Sequence, residues 1–196
     1  MIKRTFDFTL AALGLIALLP LMAAIALAVR LDSPGPVFFR QVRVGRHGVP
    51  FRIHKFRTMV VGAPAQGPAV TAAGDPRITR TGAWLRRRKL DELPQLLNVL
   101  AGHMSLVGPR PEVPQYVALY PPALREQVLA VRPGITDPVS LEFLDESERL
   151  ARVADPEREY VEVILPAKLQ ASVAYARRAT LASDLGVLWR TVRRLV

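Results

Sequence analysis

Residues 8–29 read Phe-Thr-Leu-Ala-Ala-Leu-Gly-Leu-Ile-Ala-Leu-Leu-Pro-Leu-Met-Ala-Ala-Ile-Ala-Leu-Ala-Val, 22 positions without a charge between Asp7 and Arg30. As a helix the segment measures about 33 Å, enough to cross a hydrocarbon core of about 30 Å. Three topologies compete for it. A cleaved signal peptide accounts for Lys3 and Arg4 ahead of an apolar run, with Ala24-Ile25-Ala26 as a cleavage-like tripeptide. Retention of the segment behind Met1 disfavours that reading. A simple transmembrane helix is the plainest alternative, but basic residues flank both ends: Lys3 and Arg4 before, Arg30, Arg40, Arg43 and Arg46 after. Under the positive-inside tendency both ends prefer the cytoplasm. Pro20, near the middle, removes the hydrogen bond to the Ile16 carbonyl and favours a kink. Each half, at about 15–20 Å, is too short to span alone. A helix that enters, bends at Pro20 and returns to the same face fits all these features. The expected organisation is therefore a re-entrant membrane helix over residues 1–32 and a domain over 33–196 lying on the membrane face, with both termini cytoplasmic.

Composition bounds the rest. The 196 residues are 50% hydrophobic and 22% charged, which excludes a disordered chain and is ample for one domain. With no cysteine, disulfide scaffolds, thiolate zinc sites and cysteine nucleophiles are ruled out, and three scattered histidines make a histidine metal site improbable. The net charge of +10 predicts an anionic partner. Only four of the 27 basic residues are lysine, and the arginine fork suits phosphate, anionic headgroups and nucleic acid alike.

After a turn-rich break at Asp32-Ser33-Pro34-Gly35-Pro36, residues 37–44 and 49–59 alternate like two short strands joined through Gly45-Arg46-His47-Gly48. Gly62 to Gly74 reads as a mobile loop, followed by a helix from Gly82 to about Arg88. Leu93, Leu96, Leu97 and Leu100 form one apolar stripe, with Gly102 as the stop. Pro94 is tolerated only in the first turn, so this helix must start near Asp91 or Glu92. Further helices are expected over Val113–Leu119, Pro122–Val131, Leu141–Val153 and Pro156–Arg178. From Leu181 to Val196, Leu185, Leu188, Trp189 and Val192 share one side, flanked by Arg190, Arg193 and Arg194. That helix suits either packing on the core or a membrane interface. The fold class is predominantly α-helical with a few short strands.

The densest chemistry lies in Arg86-Arg87-Arg88-Lys89-Leu90-Asp91-Glu92-Leu93-Pro94. As a solvated face, the carboxylates merely complement a helix start. As a site, the cations hold a polyphosphate, one carboxylate attacks phosphorus and its neighbour binds magnesium, both staying ionised beside so much positive charge. In Val107-Gly108-Pro109-Arg110-Pro111 two prolines present Arg110 from a stiff loop, and Arg132-Pro133-Gly134 repeats the arrangement more weakly. No Walker loop, Rossmann fingerprint or serine-histidine-aspartate grouping is found.

The run from Leu90 through Gly102, continuing as Met104-Ser105-Leu106-Val107-Gly108-Pro109-Arg110-Pro111, resembles the signature of bacterial sugar transferases, the small monotopic phosphoglycosyl transferases. Gln41 to Met59 with Lys55-Phe56-Arg57-Thr58-Met59, Asp75-Pro76-Arg77-Ile78-Thr79, Arg132-Pro133-Gly134-Ile135-Thr136 and Asp184-Leu185 to Thr191-Val192 are similar to the family pattern too. The likeness covers nearly the whole chain. It departs at His103, where the family usually has an acidic residue, and at Asp137-Pro138, where it has Gly-Trp or Gly-Leu. The short hydrophobic N-terminus corresponds to the minimal one-domain form.

The resemblance implies transfer of a sugar 1-phosphate from a UDP-sugar to a polyprenol phosphate (undecaprenyl phosphate in bacteria), with release of UMP, at the start of a membrane glycan pathway such as exopolysaccharide synthesis. It implies Asp91 as nucleophile through a covalent phosphosugar intermediate, and Mg2+ held by Glu92 and Asp91. Lys55, Arg57, Arg86, Arg110 and Arg132 become the candidate phosphate contacts. The expected location is the cytoplasmic face of the bacterial inner membrane, against anionic lipid headgroups. The rival reading is a non-catalytic, membrane-anchored basic protein that binds anionic lipid or nucleic acid. At 7% aromatic residues with no stacking pattern, nucleic acid is not an expected partner. Neither the sugar nor the assembly is set, and a homodimer is among the assemblies left open.

Overall fold

The computed structural model describes residues 2–68, 70–143 and 145–195. In chain order the elements are α1 (Ile2–Asp32), β1 (Phe38–Val44), β2 (Pro50–Phe56), α2 (Arg80–Arg87), a 3-10 turn (Leu90–Gln95), α3 (Leu96–Leu100), β3 (Ser105–Val107), α4 (Pro114–Val117), α5 (Pro122–Leu129), β4 (Gly134–Thr136), α6 (Pro138–Glu142), α7 (Glu146–Ala151), α8 (Pro156–Glu159), a π turn (Tyr160–Ile164), α9 (Leu165–Arg178) and α10 (Leu181–Leu195). The expected fold class, mostly helical with few short strands, is what is found.

Helix α1 is long and apolar enough to cross a membrane. It remains helical across Pro20, so the expected bend does not take the form of a broken helix. One stripe, Asp7, Ala11, Met22, Ile25 and Val29, is buried against the rest of the chain. The other side leaves Leu13, Ile16, Leu19 and Leu27 58–72% exposed, an apolar surface that water alone does not stabilise. Both ends of α1 are tied to the same body. Arg4 donates to the Val99 and Leu100 carbonyls at 2.6 and 3.0 Å, satisfying the last turn of α3, and Asp7 accepts from Ser105 Oγ at 2.8 Å. At the far end the Asp32 carboxylate accepts from the Thr81 amide at 2.9 Å.

Strands β1 and β2 form an antiparallel hairpin with Phe38 opposite Phe56 and Val44 opposite Pro50. Its turn holds His47 at φ 58°, in the left-handed region. The hairpin's inward residues Phe51 and Ile53 join Ala11, Leu96, Val99, Met104 and Val187 in the main core. Strands β3 and β4 are parallel, pairing Ser105 with Gly134 and Val107 with Thr136. They meet so closely that a Cβ on Gly134 would lie 2.1 Å from the Gly108 nitrogen, which demands glycine.

Several boundaries moved for local reasons. Helix α2 starts at Arg80, earlier than expected, because the Thr79 side chain caps it by accepting from the Gly82 amide. The leucine stripe is split: Pro94 lies in a tight 3-10 turn, the α-helix starts only at Leu96, and Leu97 faces outward at 39% exposure. The expected helix over 141–153 is divided between α6 and α7, with Leu144 outside the described residues. Upstream of Pro166 the long C-terminal helix widens into a π turn, since proline supplies no amide to the preceding turn. The loop expected to be mobile contains a short 3-10 turn at Ala63–Ala65 and is tethered by buried Arg77, which donates to the Ala63 and Pro68 carbonyls and pairs with Asp75.

Candidate active site

Asp91 and Glu92 sit in the 3-10 turn that faces β2. Lys89 precedes it in the left-handed conformation at φ 54°, redirecting the chain from α2 so that both carboxylates point inward. Both are buried, 6% and 7% exposed. Asn98, in α3, clamps that helix to β2 by donating to the Arg52 carbonyl and accepting the His54 amide at 2.8 and 2.9 Å.

The two acids have unequal surroundings. Lys55 Nζ donates to Glu92 Oε1 at 2.6 Å. Arg110 grips the same carboxylate with both terminal nitrogens, at 2.6 Å to Oε1 and 3.3 Å to Oε2. Asp91 has Lys55 only at 4.0 Å, and no side-chain hydrogen bond to its carboxylate is found among the described residues. Burial pushes the Glu92 carboxyl up, but Arg110 and Lys55 outweigh it and hold the group well below its ordinary value. Asp91 moves the other way: burial raises its pKa, the neighbouring Glu92 charge adds to this, and Lys55 and Arg86 offset it only in part. The surrounding cations therefore act unequally on the two acids, a division that the expectation of two ionised carboxylates did not contain. The cations are spent on Glu92.

Lys55, Arg86 and Arg110 thus gather at the pair. Burial lowers the pKa of Lys55, opposed by Glu92, whereas the Glu92 charge raises that of Arg110. Arg86 is steered by its Nε donating to Thr58 Oγ1 at 3.0 Å. Arg57 is elsewhere. Its guanidinium donates to the carbonyls of Val29, Ser33 and Pro34 and to Ser33 Oγ, capping the C-terminal end of α1. Strand β2 ends at Phe56, so the side-to-side alternation that would group Arg57 with Lys55 stops one residue short. Arg132 is not at the pair either; its Nε donates to the Gly102 carbonyl at 2.9 Å. The two proline-arginine loops are zipped together instead, through Gly108 N to Thr136 O and Gly134 N to Pro109 O. This fixes the backbone from which Arg110 projects.

Sequence reading missed the support behind Arg110. Glu112 accepts from Tyr160 Oη at 2.6 Å and pairs with Arg43 at 3.5 Å, while Arg43 also donates to the Pro111 carbonyl at 2.9 Å. The available signal was an acidic residue directly after Pro109-Arg110-Pro111. Of the two departures, His103 stacks on Phe51 with ring centroids 5.7 Å apart. Asp137 caps α6, accepting from both the Ser140 amide and hydroxyl at 2.7 Å.

Magnesium takes one or two carboxylates together with substrate phosphates and waters. Among the described residues no group of three or more His, Asp or Glu side chains is placed to hold a metal. The donor set fits an ion that arrives with a diphosphate. The Asp91 oxygens accept no hydrogen bond among the described residues, whereas those of Glu92 are taken up by Lys55 and Arg110. Chemically, the site offers one buried anion without a hydrogen-bond donor among the described residues, beside a second that Lys55 and Arg110 neutralise.

Known proteins resemble this chain over its whole length. A family model described as bacterial sugar transferase matches residues 1–196. An undecaprenyl-phosphate glucose phosphotransferase of Komagataeibacter xylinus is 49% identical over 140 residues, 68% of this chain and 26% of that protein. A UDP-glucose:undecaprenyl-phosphate glucose-1-phosphate transferase of Caulobacter vibrioides is 39% identical over 196 residues, 99% of this chain and 69% of that protein. A UDP-N-acetylgalactosamine-undecaprenyl-phosphate N-acetylgalactosaminephosphotransferase of Aeromonas hydrophila is 36% identical over 199 residues, 100% of this chain and 44% of that protein. The chain thus spans from about a quarter to about two thirds of the length of these relatives.

Proposed function

This chain belongs to the bacterial sugar transferase family, and on that premise we propose that it is a phosphoglycosyl transferase acting on a UDP-sugar and undecaprenyl phosphate. The observation that carries the reading is the asymmetry of the acidic pair: Glu92 is bound by Lys55 and Arg110, whereas the buried Asp91 carboxylate has Lys55 only at 4.0 Å and no hydrogen-bond donor among the described residues. An anion so poorly solvated is a better nucleophile than one sharing its lone pairs with donors.

In the first step an Asp91 carboxylate oxygen attacks the sugar-bearing phosphorus. The bond from that phosphorus to the bridging oxygen breaks, UMP leaves with that oxygen, and a phosphosugar-aspartate remains. In the second step an oxygen of the lipid phosphate attacks the same phosphorus, the bond to Asp91 breaks, and the diphosphate-linked sugar forms. Arg110, Lys55 and Arg86 are the phosphate ligands, held ready by the loops described above. Mg2+ would be held by Asp91 and Glu92, and when bound would neutralise diphosphate charge.

The same reading places the chain at the cytoplasmic face of the inner membrane, with α1 re-entrant and both termini cytoplasmic. It is supported by the attachment of both ends of α1, at Arg4 and at Asp32, to one body while its opposite side stays apolar. A helix crossing the bilayer away from that body would lose one set of contacts. On α10, Leu185, Trp189 and Val192 are exposed, as an interfacial helix requires. Cysteines introduced at residue 2 and at Gln66 should be labelled from the same side of sealed vesicles; labelling from opposite sides would refute the topology. For the chemistry, each UDP-sugar is supplied singly with undecaprenyl phosphate and magnesium. Release of UMP from at least one of them is expected, and no release from any would overturn the activity.

A further inference from the structure

The proposed chemistry needs a second substrate that stays in the bilayer. A groove of about 560 Å³ lies between the C-terminal half of α1 and α2. Ile25, Ala28 and Leu31 form one wall, and Trp84 and Leu85 the other. At one end the hydrogen bond from the Thr81 amide to Asp32 ties the two helices together. The rim at Leu31 runs into the apolar outer surface of α1.

The opposite end is defined by sequence continuity. Helix α2 rises by about 1.5 Å per residue, so Trp84 and Leu85 lie within one turn of Arg86, the residue whose charge acts on Asp91. Arg88 stacks over the Trp84 ring with its guanidinium carbon 4.9 Å from the centroid. Arg87, Arg88 and Lys89 are exposed and make no ion pair among the described residues. An apolar trough that starts at the membrane-facing helix, with Arg88 stacked on its Trp84 wall and Arg87 and Lys89 next to it in sequence, matches one kind of molecule, a single hydrocarbon chain headed by a phosphate.

We propose that the α1–α2 groove binds the first isoprene units of the polyprenol phosphate acceptor, with Arg88 and Lys89 receiving its phosphate on the way to Asp91. This rests on the transferase reading above. It also assigns Trp84 a role: the ring forms the wall against the chain and positions the Arg88 guanidinium at the headgroup.

The test uses the full chain in detergent micelles and reads the two half-reactions separately. Ala28→Phe fills the groove, and Leu27→Phe places the same ring on the outer face as a control. With donor alone, both variants should form the phosphosugar adduct within about twofold of the wild-type rate. With undecaprenyl phosphate, Ala28→Phe should raise the KM for the acceptor by about tenfold, and Leu27→Phe should leave it unchanged. In a Trp189→Phe background, Trp84 is the remaining tryptophan, and its emission should shift to the blue, saturably, on titration with undecaprenyl phosphate. Phosphatidylglycerol in the same micelles should not produce that shift. An unchanged acceptor KM in Ala28→Phe, or an equal shift with phosphatidylglycerol, would overturn the assignment. Absence of an adduct in the wild type would instead strike the transferase reading, and the Trp84 titration would still decide the groove. If Ala28→Phe alone lost the adduct, that titration would decide it as well.

Discussion

Among the described residues, two sets of buried carboxylates are built in opposite ways. Asp7 and Asp184 join the two ends of the chain. Asp7 accepts from Ser105 Oγ and the Leu106 amide, and Asp184 accepts from Lys3 on one oxygen and Tyr175 Oη on the other. Each carboxylate oxygen of this clasp has a donor. Asp91 and Glu92 share equally buried ground, yet the donors are all on Glu92. The difference separates structure from chemistry. A carboxylate with its lone pairs satisfied stabilises the fold and is a poor nucleophile, whereas one buried without donors costs stability and keeps its reactivity.

The sharpest way to break this comparison is to neutralise one acid of each kind. Asp91→Asn should lower turnover by on the order of 10^4-fold or more, because the attacking anion is gone. It should leave Tm close to the wild-type value, since the Asp91 carboxylate makes no hydrogen bond among the described residues that the amide would lose. Asp184→Asn should do the reverse. Turnover per folded molecule stays near wild type, and stability falls by about 2 kcal/mol, or roughly 4–8 °C in Tm. Calorimetry beside an activity assay reads both. A loss of stability in Asp91→Asn matching that of Asp184→Asn would erase the distinction.

Glu92→Gln comes next. It leaves Lys55 and Arg110 without their counter-charge, so both half-reactions should slow, by about 100-fold, and stability should drop by about 3 kcal/mol. Adding Lys55→Met should recover part of the stability and none of the rate. Apparent magnesium affinity, measured with donor present, should weaken as well.

The unequal pKa directions predict a pH effect. Because burial raises the Asp91 pKa, protons leave it later, and adduct formation should rise with pH through a midpoint above the ordinary carboxylate range. For stability the signs oppose. The lowered Glu92 pKa stabilises the fold above its unfolded value and loses that contribution as pH falls through the folded one, while the raised Asp91 pKa removes stability as pH rises through it. A rate profile flat down to the ordinary carboxylate range would contradict the poor solvation assigned to Asp91.

The smallest effect is expected at Asp137. If it shaped the sugar pocket, Asp137→Gly would reorder UDP-sugar preference. Its carboxylate instead caps α6, so a loss of about 1 kcal/mol, felt alike with every sugar, is expected. A changed ranking of donors would return this residue to the pocket.

What was legible in the sequence was mostly local. Charge-free residues 8–29, the glycine stop at Gly102 and the hairpin around Gly45 to Gly48 each depend on neighbours in the chain. The acidic pair was visible because Asp91 and Glu92 are adjacent, and Lys55 and Arg110 were found because their motifs are distinctive. The unequal division of cations between the two acids was not legible, since it depends on where β2 ends and on how the Gly108 and Gly134 loops zip together. Arg57 shows the limit well: one residue beyond the strand, its side chain turns to α1 instead of the site. The Arg43–Glu112–Tyr160 support was hidden for the same reason, as Tyr160 comes 48 residues after Glu112.

The central claim is that Asp91 carries the phosphosugar. Intact-protein mass after brief incubation with UDP-sugar and magnesium, without undecaprenyl phosphate, tests it most directly. Wild type should gain the mass of one sugar phosphate, and undecaprenyl phosphate added afterwards should remove it. Glu92→Gln should gain it slowly, and Asp91→Asn should not gain it at all. An adduct on Asp91→Asn at the wild-type rate would contradict the account.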